Sequence, residues 1–243
     1  MRTRRPFDHP GGAVARRFAD RREAGRLLAD ELRSYAGRPN LLVLGLPRGG
    51  VPVAYEVARA LDAPLDVFVV RKLGVPGHEE VAMGAIATGG GRVLNRDTIG
   101  HLGIPMSLVE ETTALERREL ERRERAYRDD RPAPDIRGRT VIVVDDGLAT
   151  GATMLAAVGA LRQQGPASII VAVPVASTEA CAAMRSAADA CICVLTPDPL
   201  HAVGVWYADF TQTSDDDVRA LLADAALEHS NGEARARLEP RLS

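Results

Sequence analysis

VIVVDDGLATGATM, residues 141–154, passes from four apolar β-branched residues to two acids, a run of small residues and the start of a helix. Val141, Ile142, Val143 and Val144 have the pattern of a strand buried on both faces of a parallel sheet. Asp145 and Asp146 then fall at its carboxyl end, where open α/β sheets bind ligands. Two adjacent carboxylates there repel each other and lose solvation, so they need hydroxyl donors, a metal or a nearby cation. Ala149, Thr150, Gly151, Ala152 and Thr153 follow, small enough to let backbone N–H groups approach an anion closely. Met154, Leu155, Val158 and Leu161 recur at helical spacing, which puts the loop at a helix N-terminus, whose free N–H groups favour phosphate. The stretch predicts a sugar-phosphate site, a ribose diol with Mg²⁺ answering the needs of the acidic pair.

On these residues the chain resembles the type I phosphoribosyltransferases, whose motif binds phosphoribosyl pyrophosphate (PRPP). The resemblance implies that Asp145 and Asp146 serve the ribose 2′ and 3′ hydroxyls and that residues 149–153 hold the 5′-phosphate. It also implies Mg²⁺ as cofactor, carried by PRPP, with Asp145, Asp146 and Asp209 as protein oxygen donors. The spacing is not that of a Walker A loop, which needs Gly-Lys-Ser/Thr, nor of GxGxxG.

At 243 residues the chain suits one large or two small domains, and its 46% hydrophobic content supports one aliphatic core. A net charge of -2 and a pI near 6.2 give no general drive toward nucleic acid or anionic membrane. No apolar stretch approaches the ~20 residues of a membrane span, and MRTRRPFDHPGG lacks the apolar segment of a secretory signal. The expected location is cytoplasmic. Cys181, Cys191 and Cys193 are too few and too clustered for a disulfide framework. Cys191 and Cys193 alternate along ACICVL, share one face, and read as buried small hydrophobes that imply no metal site. The five histidines lack zinc spacing.

Along the chain, residues 1–19 form a basic arm with Arg2, Arg4, Arg5, Arg16 and Arg17, and residues 20–228 form the domain. An amphipathic helix is expected from Asp20 to Tyr35, with Ala24, Leu28 and Leu32 on one face. Leu41 to Leu44, a helix from Val51 and a strand through Val67 to Val70 give βαβ alternation. Ala85 to Ala87 and Arg92 to Leu94 read as hairpin partners in a mobile glycine-rich region. Residues 106–130 form a charged helix with Glu119–Arg123, Glu121–Arg125 and Glu124–Arg128 pairs on a solvated face. Ile169 to Val173 and Cys191 to Leu195 supply two more strands around a helix of 178–188. A last helix over 215–227 starts at Ser214 as N-cap, and residues 229–243 read as a frayed tail. The fold class is α/β: a mainly parallel central sheet flanked by helices, with a small hood from terminal segments and a flexible lid loop.

Leu46 to Gly50 follow the first strand and open at the same sheet edge as the motif. Arg48 offers a planar cation for phosphate oxygens, and Gly49 and Gly50 free the backbone. In the resembling family this loop cradles pyrophosphate and often carries a strained or cis peptide, here at Leu46–Pro47 or Pro47–Arg48. By the same resemblance, Arg71 and Lys72 at the end of the next strand contact pyrophosphate. Adjacent strand residues point to opposite faces, and Lys72 is the first choice, as a catalytic residue with Asp145 and Asp146. Residues 73–84 take the place of the family's lid, with His78 and Glu79 as polar groups that act as acid or base or stay in solvent.

For the base, A-T-G-A-T resembles the A-T-G-G-T of adenine phosphoribosyltransferases, and Ala149 stands where 6-oxopurine enzymes usually place an Asp. Against that, Pro197, Asp198, Val203, Gly204, Asp209 and Phe210 resemble the hood of hypoxanthine-guanine enzymes with altered spacing. Leu200, His201, Trp206 and Tyr207 are candidates to line the base, Trp206 equally to fill the hood core. The expected function is Mg²⁺-dependent transfer of a phosphoribosyl group from PRPP to a nitrogenous base, a purine first, with release of pyrophosphate. A non-catalytic PRPP- or nucleotide-binding regulator is the alternative. A phosphohydrolase with Asp145 as nucleophile is disfavoured by adjacent D-D in place of D-x-D. The expected partners are PRPP and a base, with no membrane, a homodimer allowed, and nucleic acid disfavoured except at the arm.

Overall fold

The computed structural model describes residues 17–128 and 131–238, with side chains except at 79, 80 and 231–238. Residues 1–16 of the expected arm and 239–243 of the expected tail lie outside the described residues. Helix α1 (Arg21–Glu31) is capped by Asp20, whose carboxylate accepts from the Glu23 N–H at 2.7 Å. Ala24, Leu28 and Leu32 are buried, as their spacing predicts. Strand β1 (Leu41–Gly45), helix α2 (Gly50–Leu61) and strand β2 (Leu65–Val67) form the first βαβ unit. Strands β3 (Val70–Val75), β4 (His78–Ala87) and β5 (Arg92–Leu94) build a small antiparallel sheet, and helices α3 (Arg96–His101) and α4 (Met106–Arg128) follow it. Strand β6 (Thr140–Val144), helix α5 (Ala152–Gln163), strand β7 (Ser168–Val175), helix α6 (Thr178–Ala187) and strand β8 (Ala190–Leu195) complete the core before helix α7 (Asp215–Leu238).

The five-stranded central sheet is parallel throughout, in the order β2-β1-β6-β7-β8. The motif strand β6 sits at its centre, which is why VIVV is apolar without interruption. Val141 and Val143 pack toward Met154, Val158, Leu161 and Met184 on one face. Ile142 and Val144 pack toward Leu28, Leu32, Val53 and Val57 on the other. Full burial of each such side chain contributes about 1.5–3 kcal/mol. The chain leaves β1 toward β2 on one side and returns to β6 on the other, so the β1/β6 boundary is a topological switch point, the crevice where such sheets bind ligands. Gly45 and Val144 are partners in register, so the loops after β1 and β6 open side by side.

Three expectations need correction. The apolar run Val67 to Val70 is not one strand. It leaves the central sheet after β2, crosses through the fully buried Phe68, whose N–H donates to Gly45 O at 3.0 Å, and enters β3 of the small sheet. Burial on both sides of that crossing reads in sequence like a buried strand. Residues 73–84 are not an open loop but a hairpin: β3 pairs with β4 through irregular register at Leu73/Gly74 and Gly74/Val75, and β4 pairs with β5 as the hairpin expectation had it. The last helix runs on to Leu238 from the expected cap, where Ser214 Oγ accepts from the Asp217 N–H at 3.1 Å.

Helix α4 buries Val109, Thr113, Leu120 and Tyr127 along one side, and at its end also Arg128. That guanidinium is 3% exposed and binds Asp66 at 2.7 Å and Glu124 at 3.1 Å, docking α4 onto β2. Residues 18–19 pair with 206–209: the Phe18 N–H donates to Trp206 O, the Ala208 N–H to Phe18 O and the Asp209 N–H to Ala19 O, at 2.8–2.9 Å. Phe18, Tyr207 and Phe210 stack there into a small hood beside the carboxyl ends of the strands.

Candidate active site

The acidic pair leaves β6 directly into the crevice. Asp145 Oδ1 accepts the Asp146 N–H at 2.9 Å and has no ion-pair partner among the described residues. Asp146 is held from outside the motif: Arg21, the first residue of α1, donates Nε to Asp146 Oδ2 at 2.9 Å, and its Nη2 completes the ion pair with the same oxygen at 2.8 Å. The third nitrogen, Nη1, donates to Thr211 O at 2.8 Å, and the guanidinium lies 3.9 Å from the centre of the Phe210 ring. The Tyr207 hydroxyl donates to the Asp146 carbonyl at 2.6 Å. Burial lifts both carboxyls above the ordinary carboxylate range, Asp145 furthest, where the charge of Asp146 adds to the effect; Arg21 pulls the pair back toward ionisation.

Arg21 is the residue that sequence reasoning missed. The buried pair announces its need for a cation, but nothing local says which arginine, 125 positions away, supplies it.

The loop after β1 closes over the pair. A Cβ at Gly49 would overlap the Asp146 carboxylate, and one at Gly50 would stand 2.7 Å from Val144 O and 2.8 Å from Asp145 Cα, so close approach requires glycine at both positions. The cis peptide falls at Pro47–Arg48. Arg48 reaches Asp215 Oδ1 at 3.7 Å, in the first turn of α7, beside the Tyr127 hydroxyl that donates to the same oxygen at 3.0 Å. Burial, with that hydrogen bond second, pushes the Tyr127 hydroxyl up to about 12.

On the phosphate side, Gly151 takes φ +75° as N-cap of α5, and Thr150 Oγ1 faces the Ala152 N–H at 3.4 Å. Ala149, Thr150 and Gly151 thus lead into a helix N-terminus that begins with Ala152 and Thr153. The Ala149 carbonyl accepts from Ser177 Oγ at 2.9 Å, which ties the loop to the start of α6. A buried β6, two carboxylates, and a small-residue turn onto α5 therefore stand in the order expected from residues 141–154.

The remaining expected residues divide. Arg71 and Lys72 lie within β3 of the hairpin, not at the end of a central strand. Arg71 is engaged by Glu116 of α4, Nη2 to Oε2 at 2.6 Å. Lys72 is exposed and is the one lysine among 31 basic residues. His78 is exposed at the start of β4, and the Glu79 side chain lies outside the described residues. Asp209 is exposed and accepts from the Thr211 N–H at 2.9 Å and hydroxyl at 2.6 Å, which holds it below the ordinary carboxylate range. Among the described residues it does not cluster with Asp145 and Asp146 as a set of metal ligands. Tyr207 is 3% exposed and belongs to the hood core, so its ring is not available to stack on a base. Leu200 and Trp206 pack partly buried against that core, and His201 is exposed.

The sequence profile described as the phosphoribosyl transferase domain matches residues 18–207. Two strains of Mycobacterium tuberculosis carry a protein provisionally named a phosphoribosyl transferase, 46% identical over 205 residues, 84% of this chain and 46% of the relative. The chain thus spans less than half the length of these curated relatives. The crystal structure of TT1426 from Thermus thermophilus is 45% identical and superposes with a TM-score of 0.77, covering 86% of this chain and 98% of the other. No helix among the described residues is long and apolar enough to cross a membrane.

Proposed function

Because the chain belongs to the phosphoribosyl transferase domain family, we propose that it transfers a 5-phosphoribosyl group from PRPP to a nitrogenous base and releases pyrophosphate. The observation that carries this reading is the crevice at the β1/β6 switch point, where Gly49 and Gly50 press against Asp145 and Asp146 at the mouth of the loop that enters α5.

Asp146, oriented by Arg21, and Asp145 accept the ribose hydroxyls and bring negative charge close to the sugar. As the bond from C1 to pyrophosphate stretches, positive charge grows on the ribose, and a fixed carboxylate pair in a dry site stabilises it. Residues 149–153 and the N-terminus of α5 bind the 5′-phosphate through backbone N–H groups and the hydroxyls of Thr150 and Thr153. Arg48 and Gly49 face the leaving pyrophosphate, and Lys72 supplies a second cation there, Arg71 being committed to Glu116. The hairpin of β3 and β4 covers the reacting sugar, excluding the water that would otherwise capture it.

Magnesium suits this donor set. Asp145 and Asp146 present hard oxygens of the kind that ion prefers, and Asp145 is a buried carboxyl with no cationic partner of its own among the described residues. When bound, Mg²⁺ neutralises charge on the pyrophosphate. The base lies against Leu200, His201 and Trp206, a purine being preferred for the A-T-G-A-T loop and the width of an indole face.

Pyrophosphate release on mixing the protein with PRPP, Mg²⁺ and a panel of purines and pyrimidines tests the proposal. Release dependent on one base supports transfer. PRPP binding without release for any base leaves a regulator, and release of inorganic phosphate without a base points to a hydrolase.

A further inference from the structure

Cys181, Cys191 and Cys193 come together on the far flank of the central sheet, away from the acidic pair in chain and chemistry. Cys181 lies on α6 and the other two on β8, the edge strand. Their three sulfurs lie within 4.8 Å of one another, and the Cys191 and Cys193 sulfurs are 3.7 Å apart. Cys181 is 1% exposed, whereas Cys191 and Cys193 are half-buried, so the cluster has a closed side and an open side. Among the described residues it is the one group of three or more acidic, histidine or cysteine side chains with ligand atoms this close.

We propose that these three cysteines form a binding site for a soft divalent metal ion, zinc, held by three thiolates with a fourth position open to solvent. Two sulfurs bonded to one tetrahedral zinc at about 2.3 Å lie roughly 3.8 Å apart, the separation that Cys191 and Cys193 already have. The third sulfur needs a shift of about 1 Å or less, within the reach of a χ1 adjustment. All three ligands fall within residues 181–193, on a helix and the strand that follows it, so little chain entropy is lost in assembling them. An all-sulfur donor set selects soft ions and rejects Mg²⁺, which separates this site chemically from the carboxylates. Arg185, on the turn of α6 after Cys181, acts electrostatically on the Cys181 and Cys191 thiols and balances the excess negative charge of three thiolates around one zinc. Binding releases the thiol protons to solvent. Sequence spacing hides the site because the ligands include no C-x-x-C pair; Cys191 and Cys193 share a strand face, and only the packing of α6 on β8 adds the third.

The test uses the full chain, kept reduced with a phosphine and freed of metal by a chelator, in the absence of PRPP. Zinc is titrated against a chromophoric competitor, and Co²⁺ is added to a second sample. The proposal expects one equivalent of zinc per chain retained in excess Mg²⁺, and a thiolate-to-cobalt charge-transfer band with the strong visible bands of a tetrahedral site. Both should vanish in Cys191→Ser/Cys193→Ser, placed on the half-exposed strand so that circular dichroism stays unchanged. In the wild-type protein, independently of any variant, zinc should protect the two half-buried thiols, Cys191 and Cys193, from a thiol reagent that modifies both without it. Failure to retain zinc, retention by the folded double variant, cobalt binding without the charge-transfer band, or thiols that react at the same rate with and without zinc would each overturn the site.

Discussion

Arg21 and Asp146, 125 residues apart, meet through a hydrogen bond of 2.9 Å from Nε and an ion-pair contact of 2.8 Å from Nη2 to one carboxylate oxygen. The contact joins the first turn of α1, the hood and the motif loop at one point. It also opposes, without cancelling, the rise that burial imposes on both carboxyls.

PRPP binding should therefore depend on pH in a defined direction. A carboxyl whose pKa is raised in the free protein must lose its proton to accept ribose hydroxyls or face Mg²⁺, so binding releases protons and tightens as pH rises through the raised pKa. Arg21→Gln removes the influence that favours ionisation and moves this range upward. Relative to wild type, its affinity should fall about tenfold or more at the acidic end of the range in which the protein stays folded, the worth of a charged hydrogen bond, and less toward alkaline pH. Calorimetry in buffers of different ionisation enthalpy reads both the affinity and the protons; a loss independent of pH would mean that Arg21 acts only by shape.

The same pair should cost folding stability at neutral pH. A group whose pKa is higher folded than unfolded contributes stability below its unfolded pKa and loses it as pH rises through the folded value. Asp145→Asn keeps an oxygen for the Asp146 N–H and removes the charge. Its melting temperature should rise at pH 7.5, by about 2–4 °C for each kcal/mol in a chain of this size, and match wild type near pH 4. An equal or lower melting temperature at pH 7.5 would show that the buried charge is already satisfied.

Arg48 follows the cis peptide of the loop after β1 and stands 3.7 Å from Asp215 Oδ1. Arg48→Ala should weaken pyrophosphate by about tenfold, one charge-assisted hydrogen bond, with less effect on a ribonucleoside 5′-monophosphate. Parallel titrations decide it, and equal losses would place Arg48 elsewhere.

Much of this was legible locally. The VIVV run announced a strand covered on both faces, and the small residues after the acids announced a turn onto a helix, because both signals are written in adjacent side chains. Val67 to Val70 misled, since a crossing between two sheets buries both sides just as a central strand does. Arg71 and Lys72 moved with it into the hairpin. Arg21 was beyond reach: as the first residue of a capped helix it looks like any solvated arginine, and only the tertiary fold aims it at Asp146. Tyr207 lies in the hood core for a related reason, its ring being packed between Phe18 and Phe210, a tertiary arrangement that adjacent residues do not announce.

The β3–β4 hairpin gives the lid a more specific form. Paired amides at residues 70–73 and 83–87 should exchange slowly in the free protein, whereas residues 74–82, beyond the register breaks, should exchange quickly. PRPP with Mg²⁺ should slow the second group by at least tenfold. Hydrogen exchange by mass spectrometry resolves the two; uniform protection that ignores the ligand would make the hairpin a fixed wall and remove any role of His78 and Glu79.

The account rests on the crevice beside Asp145 and Asp146 being a PRPP site, and calorimetry of PRPP with Mg²⁺ against wild type and Asp145→Asn/Asp146→Asn measures that directly. It predicts one binding event per chain in wild type, weakened at least a hundredfold in a double variant whose circular dichroism is unchanged. An unaltered affinity in that folded variant would contradict it.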